Sequence, residues 1–210
     1  MIKICNQILQ TFLFYSLIAS ENLTRYLENQ LQDIALWDSF KNGDREAFRQ
    51  LFRRYYPSLL LYGCKITPDK ELLEDCIQDL FTELWLSPSN NPVQSVKAYL
   101  FKSLQYKLLK AIQKRGKLVL GTDGHEGSLG IQISHDNLLI SLEAQKENGE
   151  KVKTAIGQLS RRQQEIVYLR FFQNLGYEEI ASIMDINYQV ARNLLSQSLK
   201  ALRKNLGLVS

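Results

Sequence analysis

The stretch Tyr177 to Lys204, YEEIASIMDINYQVARNLLSQSLKALRK, gathers side chains able to read DNA onto one face of a helix. If Ala191, Leu194, Leu195 and Leu199 face inward, then Gln189, Arg192, Asn193, Ser196, Gln197 and Lys200 form the opposite stripe, open to a major groove. Arg192 can bridge guanine O6 and N7, and Asn193 or Gln197 can pair with adenine N6 and N7, while Lys200 suits a phosphate. Ile180, Ala181 and Met184 would face inward from a shorter preceding helix, with Ile186 plugging the turn, which is helix-turn-helix spacing. Asp185 occupies the tight turn where glycine is usual; aspartate tolerates a left-handed backbone better than most residues, at a cost of about 1 kcal/mol. A helical hairpin with no DNA role would carry the same core pattern.

Two further clusters lie upstream. Lys97, Lys102, Lys107, Lys110, Lys114, Arg115 and Lys117 occur with no acid between Gln94 and Leu120, and Tyr99, Phe101 and Tyr106 are interleaved. Cations neutralise phosphates and aromatic faces stack on unpaired bases, so the combination suits a strand being opened. Just before it, Asp69, Glu71, Glu74, Asp75, Asp79 and Glu83 face only Lys70 as a counter-charge. Glu71, Glu74, Asp75, Gln78 and Asp79 fall off the apolar stripe, as a partner-binding face would, or simply a solvated one. A catalytic carboxylate pair would need a pocket that raises one pKa, and no residue pattern points to one.

The elements that must position these groups are helical. Apolar residues at helical spacing run from Gln32 to Tyr62, with Asn42-Gly43-Asp44 as turn and N-cap, Pro57 as an interruption and Gly63 as a stop. A second helix is predicted over about Lys70 to Leu86, ended by SPSNNPVQS, and a third over about Val96 to Lys114. Glycines 116, 121, 124, 127 and 130 mark a flexible linker; GTDGHEGSLG has no Lys-Ser/Thr pair and no strand leading into it, which argues against a phosphate cradle. The expected fold is all-α, two small helical domains joined by a linker: an N-terminal extension over 1–31, domains over 32–115 and 147–206, and the linker over 116–146.

Composition excludes more than it selects. With 45% hydrophobic and 23% charged residues, neither wholesale disorder nor a multi-span membrane protein is supported, and a net charge of +4 is too mild to identify a partner. Cys5, Cys64 and Cys76 lack CxxC spacing and read as reduced thiols in a cytoplasmic protein; His125 and His135 have no matching ligand cluster, so no metal or cofactor is expected. The apolar run Ile8 to Ala19 is too short for a membrane span and lacks a clean cleavage site. It reads as a poorly packed leader, an extra partner-binding helix or the product of a misassigned start codon.

In this order the three clusters resemble the extracytoplasmic-function sigma factors of RNA polymerase, particularly the branch common in Bacteroidetes. ELLEDCIQDLFTELW is similar to the family's region 2 helix that docks on the polymerase clamp coiled coil. AYLFKSLQYKLLKAIQKRGK resembles the segment that engages and melts the minus-10 element. LSRRQQEIVYLRFFQNLGYEEIASIMDINYQVARNLL resembles region 4, which reads the minus-35 element and meets the polymerase flap. The resemblance implies that Glu74, Asp75, Gln78, Asp79 and Phe81 bind polymerase. It assigns Lys102, Gln105, Tyr106, Lys107, Lys110 and Lys114 to the minus-10 element, and Tyr177, Gln189, Arg192, Asn193, Ser196, Gln197 and Lys200 to the minus-35 element. It also implies promoter DNA and a membrane-linked anti-sigma factor as partners, and no small-molecule substrate or catalytic residue. Departures are Gln105-Tyr106 where Arg-Asn is usual, Asp185 for glycine, and Val190-Ala191 for Ser-Val. A conventional helix-turn-helix regulator that never joins polymerase would explain the C-terminal motif but neither the acidic nor the basic cluster.

Overall fold

The computed structural model describes residues 28–87, 92–120 and 146–207, all of whose regular structure is helical. The apolar run Ile8 to Ala19, Cys5, both histidines and the glycine-rich stretch from 121 onward lie outside the described residues.

Helix α1 covers residues 28–41, and Gly43, at φ 90°, turns the chain into α2, Arg45–Ile66. The Asp44 carboxylate caps α2 by accepting from the Glu46 and Ala47 amides at 2.8 and 3.2 Å. Two sequence expectations fail inside α2, which runs unbroken through Pro57 and Gly63. Pro57 is exposed, as is Arg53 one turn back, so water can satisfy the carbonyl that proline leaves without a donor. Burial of Leu51, Tyr55, Leu59, Tyr62 and Ile66 along the other face holds the helix continuous. The stop comes from Pro68: the residue before a proline is pushed out of the helical region, and Thr67 is extended at φ −138°, ψ 140°.

Helix α3, Lys70–Leu86, starts at Asp69, whose side chain accepts from the Leu72 amide at 3.0 Å. Helix α4, Val96–Leu120, continues past Gly116 into the segment expected to be linker. Helices α2, α3 and α4 pack on one another around Leu59, Leu73, Ile77, Phe101, Leu104 and Leu108. Against them lies α1, through Trp37 and Phe40 and through Asp33, which pairs with Arg54 and accepts from the Tyr55 hydroxyl.

The C-terminal unit comprises α5 (Lys146–Gly157), α6 (Arg161–Val167), α7 (Tyr177–Ile183) and α8 (Tyr188–Asn205). A reciprocal Ser160–Gln163 capping box opens α6. After Val167 the backbone widens into a π-turn over Tyr168–Phe172, and Asn174, at φ 59°, redirects it toward α7. Helix α8 packs on α6 and α7, and Asn205 ties its end to the Ala155 carbonyl of α5 at 3.0 Å.

The two units also touch each other. Helix α4 packs against α7, and the Tyr62 ring lies between Phe101 and Tyr168, parallel to the latter within 7°.

Candidate polymerase and nucleic-acid interfaces

On α3 the apolar residues Leu72, Leu73, Cys76, Ile77, Leu80, Phe81 and Leu84 are buried, which turns Glu71, Glu74, Asp75, Gln78, Asp79 and Glu83 to solvent. Glu74 has Lys70 one turn back at 3.7 Å, while Asp75 and Asp79 enter no ion pair among the described residues. Phe81 differs from its expected partners. It is buried at 4% exposure between Phe48 and Phe52, forming the floor of an aromatic groove that Tyr56, Trp85, Glu74 and Gln78 also line. Its role is to shape that groove under the acidic face.

Helix α4 divides its aromatic residues in a way the sequence did not reveal. Phe101 is fully buried against Tyr62, whereas Tyr99 is half-buried, packed edge-on to Trp37 at the border of the core. Tyr106 alone of the three projects outward, at 66% exposure, with the Lys110 ammonium 6.0 Å from its ring centre. Beside it a shallow cavity is lined by Leu84, Leu86, Tyr99, Lys102, Tyr106 and Lys110, among others. An exposed ring flanked by cations over an open hollow can stack a base while the cations hold the backbone.

Several cations of α4 are also engaged within the protein. Lys107 pairs with Glu83 of α3 and Arg115 with Asp69. Lys97 donates to the Gln173 carbonyl of the C-terminal unit, and burial holds its ammonium below the usual lysine range. Lys102, Lys110 and Lys114 are exposed, although the Lys102 ammonium reaches Ser182 of α7 at 3.5 Å. Gln105 is half-buried and donates to Glu165 of α6 at 3.1 Å.

In the C-terminal unit Ile180, Ala181 and Met184 are buried, Ile186 is half-buried, and the Ile186 amide donates to the Ala181 carbonyl at 3.0 Å across the turn. Asp185 holds the left-handed conformation anticipated for it, at φ 52°. Asn187 caps α8 by accepting from the Val190 amide at 2.8 Å. Ala191 and Leu195 are buried, and Leu194 and Leu199 half-buried. The inward stripe also includes Ser198, fully buried, whose hydroxyl is satisfied by the Leu194 carbonyl at 2.7 Å.

Opposite that stripe, Gln189, Arg192, Asn193, Ser196, Gln197 and Lys200 are all exposed on one face. The Gln189 amide donates to Asn193 Oδ1 at 3.2 Å, and the Arg192 guanidinium lies 5.9 Å from the Tyr188 ring centre. Tyr188 meets Tyr177 edge-on at 5.8 Å, and Arg170 stands over Tyr177 at 5.4 Å. Tyr177 is half-buried, so it props the start of the outward face of α8.

Sequence reasoning missed the polar centre between the units. Glu165, 5% exposed, accepts from the Tyr62 hydroxyl at 2.9 Å as well as from Gln105. Burial raises its carboxyl pKa, and the Tyr62 hydrogen bond and Arg162 oppose that shift only in part. Lys65, 3% exposed, sits 4.3 Å over the Tyr168 ring, and burial holds its ammonium down to about 8. A lone glutamate in the apolar run EIVYL was the available signal.

The family model for Sigma-70 region 2 matches residues 51–118, and that for Sigma-70 region 4 matches residues 149–202, between them more than half of the chain. The ECF RNA polymerase sigma factor SigM of Bacillus subtilis is 26% identical over 156 residues, 73% of this chain and 93% of that protein. The RNA polymerase sigma factor YlaC of the same organism is 24% identical over 163 residues, 77% of this chain and 93% of its own. Among solved structures, the sigma factor RpoE of Bartonella quintana, in complex with the anti-sigma factor NepR, aligns with a TM-score of 0.51 at 21% identity, covering 78% of this chain and 98% of RpoE. CnrH in complex with the cytosolic domain of CnrY gives 0.52 at 17% identity, covering 85% and 99%.

Proposed function

Because this chain belongs to the sigma-70 family, as an extracytoplasmic-function sigma factor directing promoter-specific transcription initiation, we propose that its three exposed helix faces divide that task. The acidic face of α3, Glu74, Asp75, Gln78 and Asp79 with the groove floored by Phe81, docks on the clamp coiled coil of core polymerase. The α4 surface built on Lys102, Gln105, Tyr106, Lys107, Lys110 and Lys114 engages the minus-10 element as it opens. The α8 stripe reads the minus-35 element, while the rest of that unit meets the flap. Polymerase performs the chemistry.

The observation that carries this reading is Tyr106. A tyrosine two-thirds exposed, with the Lys110 ammonium 6.0 Å from its ring centre, on a helix that follows an acidic one, suits an unstacked base. The proposed partners extend to an anti-sigma factor, as RpoE has in NepR and CnrH in CnrY, and we place that partner at the membrane. Among the described residues no helix is long and apolar enough to cross a membrane, in keeping with a cytoplasmic site of action for the chain itself. We also assign the chain to the branch common in Bacteroidetes, on the motifs of its regions 2 and 4.

Co-purification with core polymerase, followed by promoter-directed run-off transcription, tests the reading. Stable association and a discrete transcript are expected. Duplex binding with no polymerase association would instead identify a conventional helix-turn-helix regulator.

A further inference from the structure

Two large apolar side chains, Tyr188 and Val190, are left exposed in the first turn of α8. Tyr188 has partners there: its ring meets Tyr177 edge-on and lies beside the Arg192 guanidinium. Val190 stands apart from such contacts. At 43% exposure it remains outside the packed cluster that takes in Ala191, Leu194 and Leu195, and the hydrogen bond it gives to Asn187 comes from its backbone amide. Helix propensity does not call for valine at this place either, because a β-branched residue is a poorer helix former than alanine.

The register of α8 gives Val190 its surroundings. Asn193 and Gln197, three and seven residues further on, are exposed on the stripe assigned to base reading. At 3.6 residues per turn, Val190 lies about 20° from Gln197 and about 60° from Asn193 around the helix axis, so the three share one edge of that stripe. The N-terminal residues of a recognition helix are also the ones that approach base edges. Of the groups displayed in a major groove, only the C5-methyl of thymine is apolar. An isopropyl group gives no hydrogen bond to the ring nitrogens, carbonyls and amino groups around that methyl, but buries favourably against the methyl itself. An A·T pair joins the two chemistries: adenine presents N6 and N7 to Asn193 or Gln197, and its partner presents the methyl.

We propose that Val190 is a specificity-determining residue, whose Cγ methyls pack on the C5-methyl of a thymine at, or one step from, a base pair read by Asn193 or Gln197. The proposal rests on the assignment of α8 to the minus-35 element. It adds an apolar reader to a stripe whose other members act through hydrogen bonds or charge. Deoxyuridine pairs as thymine does but lacks the methyl, so it isolates this one contact.

The test reconstitutes the full chain with core RNA polymerase and selects the preferred duplex from a fully random library. Selections with Arg192→Ala, Asn193→Ala and Gln197→Ala locate the base pairs beneath α8 by the preferences they relax. Each thymine at or beside those pairs is then replaced singly by deoxyuridine, and binding is measured for the unaltered chain and for Val190→Ala. The alanine removes both Cγ methyls from an exposed position and favours the helix, and circular dichroism establishes that the variant is folded. One replacement should weaken binding by about four-fold, the value of one buried methyl-sized group, and by less than about two-fold once Val190 is alanine. A preferred duplex with no thymine there, no thymine sensitive to the replacement, or a sensitivity that persists in Val190→Ala overturns the role of Val190 and leaves α8 as a reader. Selections unchanged by all three polar variants overturn the assignment of α8 itself, and the proposal with it.

Discussion

Gly63 of α2 lies directly against Leu73 of α3: a Cβ built on Gly63 would stand 2.1 Å from Leu73 Cδ1. This contact explains a glycine within the last turn of a helix, where it costs up to about 1 kcal/mol relative to alanine. Gly63→Ala recovers that propensity but must displace a side chain that is itself fully buried, and overpacking of this kind costs about 1 to 3 kcal/mol. A net loss of about 1 kcal/mol is expected by urea denaturation, and Leu73→Ala in the same chain should restore tolerance of the alanine. A stabilised Gly63→Ala variant would show that the clash is relieved without cost.

At the helix-turn-helix corner the balance is opposite. Asp185 is exposed, adopts φ 52°, and makes no side-chain hydrogen bond among the described residues. Asp185→Gly should stabilise the C-terminal unit by about 1 kcal/mol, since glycine enters this conformation without steric penalty. Thermal denaturation measures it, and an unchanged or lowered midpoint would mean that the carboxylate contributes something the backbone geometry does not require.

Lys65 makes stability depend on pH. Its folded-state pKa is depressed from 10.5 to about 8 by burial, so the unfolded chain holds the proton more tightly; stability rises with pH between these two values, and well below 8, where both states are protonated, this contribution no longer changes. Lys97 is shifted in the same direction and adds to this trend. The gain is opposed from about pH 9, where the unfolded thiols ionise while burial raises the pKa values of Cys64 and Cys76 in the folded chain, and ends near pH 10, where the same holds for Tyr55, Tyr62 and Tyr168. The melting temperature should therefore climb between about pH 7.5 and 9.5, and Lys65→Met should flatten most of that slope. An identical slope in the variant would remove Lys65 as its source.

The acidic face gives a binding prediction. Asp75 and Asp79 are exposed and outside any ion pair among the described residues, so the double reversal Asp75→Lys, Asp79→Lys should leave the helical content and melting temperature unaltered. Exposed pairs contribute under about 1 kcal/mol each, but several acting together at one interface dominate association. Loss of co-purification with core polymerase is expected, and retained affinity would return this face to ordinary solvation.

For the α8 stripe, Arg192→Ala should cost about 1 to 3 kcal/mol on the preferred duplex and relax base preference at one minus-35 position. Lys200→Ala should weaken all sequences alike and lower the salt slope by about one unit. Binding across a randomised minus-35 library separates the two behaviours. An Arg192→Ala variant with unaltered preference would move base reading to Asn193, Gln197 or another residue of the stripe.

Local spacing was enough for the all-α class, the acidic face of α3, the outward stripe of α8 and the left-handed Asp185, because each depends on neighbours three or four residues away or on one residue's own backbone preference. Spacing could not sort Tyr99 and Phe101 from Tyr106 on α4. Helices α2, α3 and α7 all pack on α4, and only their positions decide which aromatic stays most exposed. Gly63 looked like a helix end for a related reason: glycine both terminates helices and admits close neighbours, and the presence of Leu73 selects the second use. The pairing of Tyr62 and Gln105 with Glu165 joins residues 60 to 103 positions apart, and no periodicity carries a relation of that length. Tertiary structure alone decided it, by bringing a buried carboxylate and its two donors to the same point.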